Sequence, residues 1–239
     1  MKRLGPLTAL SNAFQVLFQN FGIALFLAVI VGGLGWTIGE LVSQYMLGVY
    51  HPPPGQKAMV ISQLSTGITQ LVWHCTIGSW GAPAAIYLWV QREKGSKATL
   101  YEAVNYGLNR MGRVFFPHAL AFFVIWLGAM VIVLAPLFGV QYAFVDAIAT
   151  LDSKERHPRA RSRQLTAGRR GTIFRTFAPF ALWWGPMMIV GAFQIQNWGL
   201  PAIALAGVID YLVLIVLDLA MVQLYLDLFR KPTAAESPA

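Results

Sequence analysis

The distribution of positive charge constrains this chain more than any other feature. Of its 18 Lys and Arg residues, all but Lys57 fall into four patches, which are Lys2 with Arg3, residues 92–113, residues 154–175, and Arg230 with Lys231. No charged residue occurs in the stretches between or beside them at 4–39, 58–91, 114–145 and 176–209. Each stretch exceeds the roughly 20 residues that a helix needs to cross about 30 Å of hydrocarbon. Because cytoplasmic loops keep Lys and Arg, the pattern predicts a polytopic membrane protein with all four patches cytoplasmic.

If the patches share one side, the chain must cross the membrane an even number of times between neighbouring patches. One hairpin in each interval is the economical solution. Proline and glycine mark the expected turns at residues 51–57, 135–139 and 197–201. We therefore expect an all-α integral membrane protein with six transmembrane helices in three hairpins and both termini cytoplasmic. The predicted spans are residues 20–46, 60–90, 114–134, 137–152, 173–195 and 201–227.

Each hairpin is preceded by a segment with the spacing of a short amphipathic interfacial helix. In the first segment Leu7, Leu10, Phe14, Leu17 and Phe18 share one face. This suggests a weak internal repeat with units at about 5–91, 97–152 and 157–229. The alternative, that segments leading into a membrane look alike without being repeats, stays open. Residues 1–231 would form one transmembrane domain, and the small polar residues 232–239 would form a disordered cytoplasmic tail.

Composition argues against several functional classes. A chain with 56% hydrophobic and only 12% charged residues lacks the surface of a soluble domain. The net charge of +8 could suggest nucleic acid, but the basic residues lie at the ends of apolar segments, so we expect no nucleic-acid partner. The four histidines have no second ligand at i+3 or i+4, and no glycine-rich phosphate loop occurs. We expect no metal and no cofactor, and the interpretation leans away from an enzyme.

Five ionisable residues of the predicted spans are taken as candidate polar sites, because buried charge is costly in hydrocarbon. They are His74, His118, Asp146, Asp210 and Asp218. Counting the helical rise from the basic ends predicts two layers, with His118 near Asp146 or Asp218 inside and His74 near Asp210 toward the far side. Such a ladder suits a proton- or cation-linked transporter. The same pairs would serve equally well to hold helices together, and both readings stay open.

The third basic patch, which we call the basic elbow, holds eight Lys and Arg within residues 154–175. Beside a membrane, each such residue attracts anionic headgroups by about 1 kcal/mol. The expected lipid-binding residues are Arg159, Arg161, Arg163, Arg169 and Arg170. The elbow could also serve only to set topology, and the two roles are compatible.

The stretch from Pro136 to Phe174 carries a loose motif. Asp146, Ala147 and Ile148 close a span, and a later segment reads Ala160, Arg161, Ser162, two residues, Leu165, Thr166, one residue, Gly168. This resembles the membrane domain of glycerophosphoryl diester phosphodiesterases and the related YciC-like bacterial inner-membrane proteins. The resemblance implies a multi-span protein of the inner membrane. Family members commonly carry a glutamate where this chain has Asp146. No segment outside the predicted spans is long enough for the soluble phosphodiesterase barrel, so that activity is not expected.

These features lead to two functional expectations. The first is a non-enzymatic bacterial inner-membrane protein that acts as an envelope scaffold or accessory subunit, contacts anionic lipid and can bind a membrane-protein partner. The alternative is a small proton- or cation-linked transporter or carrier component that uses the intramembrane His and Asp residues.

Overall fold

The computed structural model describes residues 4–51, 55–129, 134–180, 182 and 199–230, and every regular element in them is a helix. Two long helices contain a π-helical turn: α2 (Phe21–Tyr50) at Ala28–Gly33, and α3 at His74–Gly78, between Gln56–Trp73 and Ser79–Glu93. The other helices are α1 (Pro6–Gln19), α4 (Leu100–Ala129), α5 (Leu134–Tyr142), α6 (Val145–Leu151), α7 (Pro158–Ala167), α8 (170–180) and α9 (Leu200–Arg230). The all-α fold class is confirmed.

Helix α9 occupies the centre of the bundle and packs against α1, α2, the second half of α3 and α6. Its sequence is apolar on every face, which is the composition of a helix surrounded by other helices or by lipid. Ile215, Leu219 and Val222 are almost fully buried in the core. The core therefore forms around the last helix of the chain, which contacts the first two.

The closest helix crossing joins α2 to α9 through two glycines. A Cβ atom on Gly32 would overlap the carbonyl oxygen of Gly207, and one on Gly207 would press on the carbonyl oxygen of Gly32. Small residues allow membrane helices to approach this closely, so that their backbones touch. Beside the crossing, Trp73 donates its indole N–H to the carbonyl of Val31 at 2.8 Å, inside the π-helical turn of α2. The crossing and this bond attach both α9 and α3 to the middle of α2.

The turn predicted at residues 135–139 is wrong, because these residues lie inside α5. Pro136 stands in the first turn of this helix, where a backbone N–H has no acceptor within the helix. The proline is thus compatible with the start of a helix instead of marking the end of the preceding one. Residues 130–133, between α4 and α5, lie outside the described part.

The fourth predicted span, residues 137–152, is divided into α5 and α6 by a turn at residues 143–144. The hydroxyl of Ser162 stabilises this break. It donates to the carbonyl of Gln141 at 2.8 Å and accepts from the backbone N–H of Phe144 at 3.2 Å. A buried serine of α7 therefore satisfies backbone groups that a continuous helix would have paired internally.

The second predicted interfacial helix is not separate, because α4 runs from Leu100 through the third predicted span without a break. A capping box starts it: the hydroxyl of Thr99 and, more weakly, its backbone N–H donate to Glu102 and lower the pKa of that carboxyl. In the first and third units the interfacial helix does end before the next helix, at Asn20 and at Gly168. Gly112 alone does not interrupt α4.

Other expectations fall partly on residues outside the description. Predicted span 5 is described only as α8, through residue 180. Residues 197 and 198 of the turn at 197–201, part of the turn at 51–57 and the whole tail at 232–239 lie outside the described residues. Span 1 corresponds to α2, span 2 to α3 and span 6 to α9, each longer than predicted.

Within the described residues, two helices are long and apolar enough to cross a membrane, Phe21–Tyr50 and Leu200–Asp227. The first half of α3 does not meet that criterion, yet its polarity is inverted relative to a helix in water. Its outer face carries Val60, Leu64, Ile68 and Val72, which are 43% to 57% exposed. Ser62 and His74 are buried instead. Apolar residues outside and polar residues inside are typical of a helix surrounded by lipid.

We predict that Gly207→Ala lowers the free energy of unfolding by about 1–3 kcal/mol, because the new methyl group has no space against α2. Reversible unfolding by sodium dodecyl sulfate in mild detergent measures the change. Gly48→Ala is the matched control, since nothing lies within 4 Å of its Cβ position. If Gly207→Ala is as stable as Gly48→Ala, the close crossing is incorrect.

Candidate functional site

Residues within or next to three of the basic patches lie close together at one end of the bundle. Asp227 of α9 connects them. This carboxylate accepts from the backbone N–H of Leu4 at 3.4 Å and lies 3.9 Å from the guanidinium of Arg169. Leu4 follows the first patch, Arg169 belongs to the basic elbow, and Asp227 precedes the fourth patch. The N-terminus, the elbow and the C-terminal end of α9 therefore lie side by side.

The second basic patch lies at the same end. Arg92, in the last turn of α3, donates to the side chain of Gln15 on α1 at 2.8 Å. Arg113 of α4 donates to the backbone carbonyl of Asp152, immediately before the elbow. Described residues that belong to or adjoin the four patches thus lie at one end of the molecule, whereas Lys57 lies at the opposite end of α3.

Within the basic elbow, α7 buries one polar face and presents another to solvent. Pro158, Ser162 and Thr166 are buried, each four residues after the last. Of the predicted lipid-binding arginines, Arg163 and Arg170 are exposed, whereas Arg159, Arg161 and Arg169 are partly buried. The exposed pair is available to a headgroup, and Arg169 is engaged with Asp227.

An apolar side chain accompanies these cations. Phe174, one helical turn after Arg170, is 52% exposed, and Arg175 beside it is exposed as well. Arginine next to an outward-facing aromatic ring is the pattern of a segment at a membrane interface, where the ring enters the headgroup region and the cations meet phosphates. The elbow therefore has the chemistry to bind anionic headgroups.

A second cluster lies deep in the bundle, around an ion pair between α4 and α6. Nδ1 of His118 is 2.9 Å from both carboxylate oxygens of Asp146. The two side chains are 13% and 23% exposed. The pair connects the long helix α4 to α6, a helix of seven residues. A helix this short is only marginally stable on its own backbone hydrogen bonds.

The π-helical turn of α3 covers the other side of the His118 ring. Nε2 of His118 is buried, and 3.2 Å separates it from the position that a Cβ would take on Gly78. The backbone of His74 faces this nitrogen without the geometry of a full hydrogen bond. Phe122 stacks on both imidazoles, with ring centroids 5.2 Å from His74 and 6.2 Å from His118. π-Helical turns occur frequently at functional sites.

Helix α9 contributes a second carboxylate, Asp218, which interacts electrostatically with both Asp146 and His118. Tyr211, two turns earlier, is buried with its ring 6.4 Å from that of His74. Four helices thus bring His74, His118, Asp146 and Asp218 together, and we call these four residues the His–Asp cluster. The fifth candidate, Asp210, is half-buried farther along α9 and has its own interactions.

His74 lies with the inner residues, whereas depth counting placed it in a separate outer layer. The predicted depth of His118 is measured from a membrane boundary near residue 113, but helix α4 starts at Leu100. From the helix ends, His118 is 18 residues from the start of α4, and His74 is 19 residues from the end of α3 at Glu93. The two histidines are therefore level.

Sequence reasoning missed a carboxyl group and a row of polar side chains. Glu40 lies inside predicted span 1, is 7% exposed and accepts from Gln44 at 3.1 Å. Its position within a predicted span was the signal that could have identified it. The row, which we call the polar seam, follows α3 at every fourth residue and consists of Ser62, Thr66, Gln70 and His74.

No family model, curated protein or solved structure matches this chain. Among the described residues, no group of three or more His, Cys, Asp or Glu side chains could hold a metal ion. The argument for function therefore rests on the geometry of the elbow, the His–Asp cluster and the polar seam.

We predict that His118 and Asp146 are strongly coupled in stability. In a double-mutant cycle with alanine at each position, the coupling energy should exceed about 1 kcal/mol, because either single change leaves a polar partner buried. The matched cycle on Arg169 and Asp227, which are 3.9 Å apart at the end of the bundle, should give less than about 1 kcal/mol. Detergent unfolding measures both. Equal coupling in the two cycles would contradict a special role for the inner pair.

Proposed function

We propose that this chain is a non-enzymatic scaffold or accessory protein of the bacterial inner membrane, with six spans in three hairpins and both termini cytoplasmic. In this proposal the basic elbow binds anionic headgroups on the cytoplasmic side. The observation that carries it is that described residues within or next to each basic patch lie at one end of the bundle. Positive charge at one end only is what the positive-inside rule requires of such a topology.

The outer surface supports a membrane location. Exposed apolar side chains line the outside of both helices of the first hairpin, including Leu41, Tyr45 and Val49 on α2 and the stripe from Val60 to Val72 on α3. Water would oppose such a surface, whereas lipid favours it. Spans 3 to 5 belong to the proposal, with α4, α5, α6 and α8 as their described parts.

The split among the elbow arginines supports a specific lipid-binding surface. Arg163 and Arg170 are exposed, and Phe174 provides an exposed apolar anchor one helical turn after Arg170. Since Arg169 pairs with Asp227, its contribution is to position the elbow against α9.

The topology predicts opposite labelling of two cysteines in intact cells. In a Cys75→Ala background, Lys57→Cys should react with a membrane-impermeant maleimide from outside, and Ser153→Cys should react only after permeabilisation. Both positions are exposed. Labelling of Ser153→Cys in intact cells would reverse the orientation and remove the basis of the proposal.

Anionic lipid should stabilise the protein through the elbow. Phosphatidylglycerol added to the purified protein in neutral detergent should raise Tm more than phosphatidylcholine does. In Arg163→Gln with Arg170→Gln, binding should weaken by about 2 kcal/mol, at about 1 kcal/mol for each charge, and the difference between the lipids should shrink.

The matched control is Lys94→Gln with Lys97→Gln, which removes two exposed charges from the same end but outside the elbow. This variant should keep most of the response to phosphatidylglycerol. If both variants lose the response equally, general charge attraction explains the effect and the elbow is not a lipid site.

A further inference from the structure

We propose that the polar seam and the His–Asp cluster form one pathway for protons, with Ser62 at its outer end, Glu40 beside its middle and Asp218 toward the basic end. The proposal rests on the membrane topology above and goes beyond the scaffold role. The polar seam extends from Ser62 to His74, a distance of about 18 Å at the helical rise of about 1.5 Å per residue. That is more than half of the roughly 30 Å of hydrocarbon.

Contacts with α2 hold the outer part of the seam inside the hairpin. The hydroxyl of Ser43 donates to that of Ser62 at 2.8 Å, and both residues are buried. One turn further along α3, Thr66 donates to the carbonyl of Gly39 at 3.4 Å. Hydroxyl groups both donate and accept, which is what a chain of proton carriers needs.

The middle of the seam continues toward the histidines. A Cβ on Gly39 would lie 3.6 Å from the side chain of Gln70, so this amide packs against the α2 backbone beside Glu40. His74 follows one turn later and is 8% exposed. Glu40 is buried and directly follows Gly39, whose backbone contacts Thr66 and Gln70, so we assign it as the carboxyl group that exchanges protons with the middle of the seam.

At the cluster, the two nitrogens of His118 face different sides. Nε2 faces the π-helical turn that carries His74, and Nδ1 contacts Asp146. A proton that arrives at Nε2 can be matched by transfer of the Nδ1 proton to the Asp146 carboxylate. Asp146 then passes this proton to Asp218, and a flip of the His118 ring turns the remaining N–H back toward Asp146. One proton enters and one leaves, and no electrons are transferred.

The charges around His118 suit a transferable proton. It faces one further imidazole, His74 of α3, and two carboxylates, Asp146 of α6 and Asp218 of α9, with the Tyr211 phenol above them on α9. Neighbouring carboxylates repel each other when both are ionised. A proton shared between Asp146 and Asp218 removes this repulsion and is therefore favourable. The described residues provide no set of ligands for a metal ion, and we therefore assign the proton.

The apolar stripe on α3 isolates the pathway from lipid. Val60, Leu64, Ile68 and Val72 alternate with the seam along the same helix and face outward. One helix therefore separates hydrocarbon from a row of polar groups. This explains why the first half of α3 is too polar to qualify as a span although its exposed face is apolar.

Proton flux into liposomes tests the pathway. Purified protein is reconstituted into liposomes that contain a pH-sensitive dye, and a potassium gradient with valinomycin drives protons inward. The wild-type chain should acidify the interior faster than protein-free liposomes do. Asp218→Asn and Glu40→Gln should each reduce the rate to the protein-free level. Replacing sodium by choline should leave the wild-type rate unchanged.

Glu102→Gln is the matched control, since it makes the same chemical change on an exposed carboxyl and glutamine still completes the capping box. This variant should keep the wild-type flux. Glu40→Gln retains an acceptor for Gln44, and Asp218→Asn removes repulsion from Asp146, so both are expected to fold. A single peak in size-exclusion chromatography and flotation with the liposomes verify folding and insertion.

The outcomes separate this pathway from the scaffold proposal. Wild-type flux at the protein-free level, with the phosphatidylglycerol response intact, overturns the pathway and leaves lipid binding standing. Flux that persists in Asp218→Asn or in Glu40→Gln, or that requires sodium, also overturns it. If flux depends on Asp218 and Glu40 but phosphatidylglycerol does not raise Tm, the pathway is supported and the elbow is rejected as a lipid site.

Discussion

The cost of leaving a polar group unpaired among apolar side chains organises this molecule. Its outer surface is largely apolar, so buried polar groups must find partners inside the bundle. Ser43 pairs with Ser62, Trp73 pairs with the Val31 carbonyl, and His118 pairs with Asp146. Each pair joins two helices that are not held together by backbone bonds. The polar contacts therefore fix which helices are neighbours, and the apolar contacts fill the space between them.

Helix α9 connects the interior to the basic end. Gly207 brings it into backbone contact with α2, Asp218 reaches the His–Asp cluster, and Asp227 meets Leu4 and Arg169 at the surface. A shift of this helix along its axis would change the surroundings of both carboxylates together. Binding at the elbow and the state of the cluster thus share one mechanical element, and the proposed lipid and proton roles are physically compatible.

Charge patterning predicted the features that depend on local sequence. Helical structure and the common end of the four basic patches follow from where Lys and Arg occur. Local breaks were less predictable. Pro136 was interpreted as the end of a helix, although proline is equally acceptable in a first turn. The break at Phe144 depends on Ser162, which lies 18 residues away along the chain. A window of neighbouring residues does not contain that partner.

The candidate site shows the same division. The sequence by itself determined that ionisable side chains, among them His74, His118, Asp146 and Asp218, would lie in apolar helices, because each falls within or at the edge of a long apolar stretch. Only the tertiary structure decided that these four meet in one cluster and that Glu40 belongs beside the seam. The physical reason is that helix register, which sets the level of each side chain, is established by contacts between helices. The Gly32–Gly207 crossing and the unbroken length of α4 are examples.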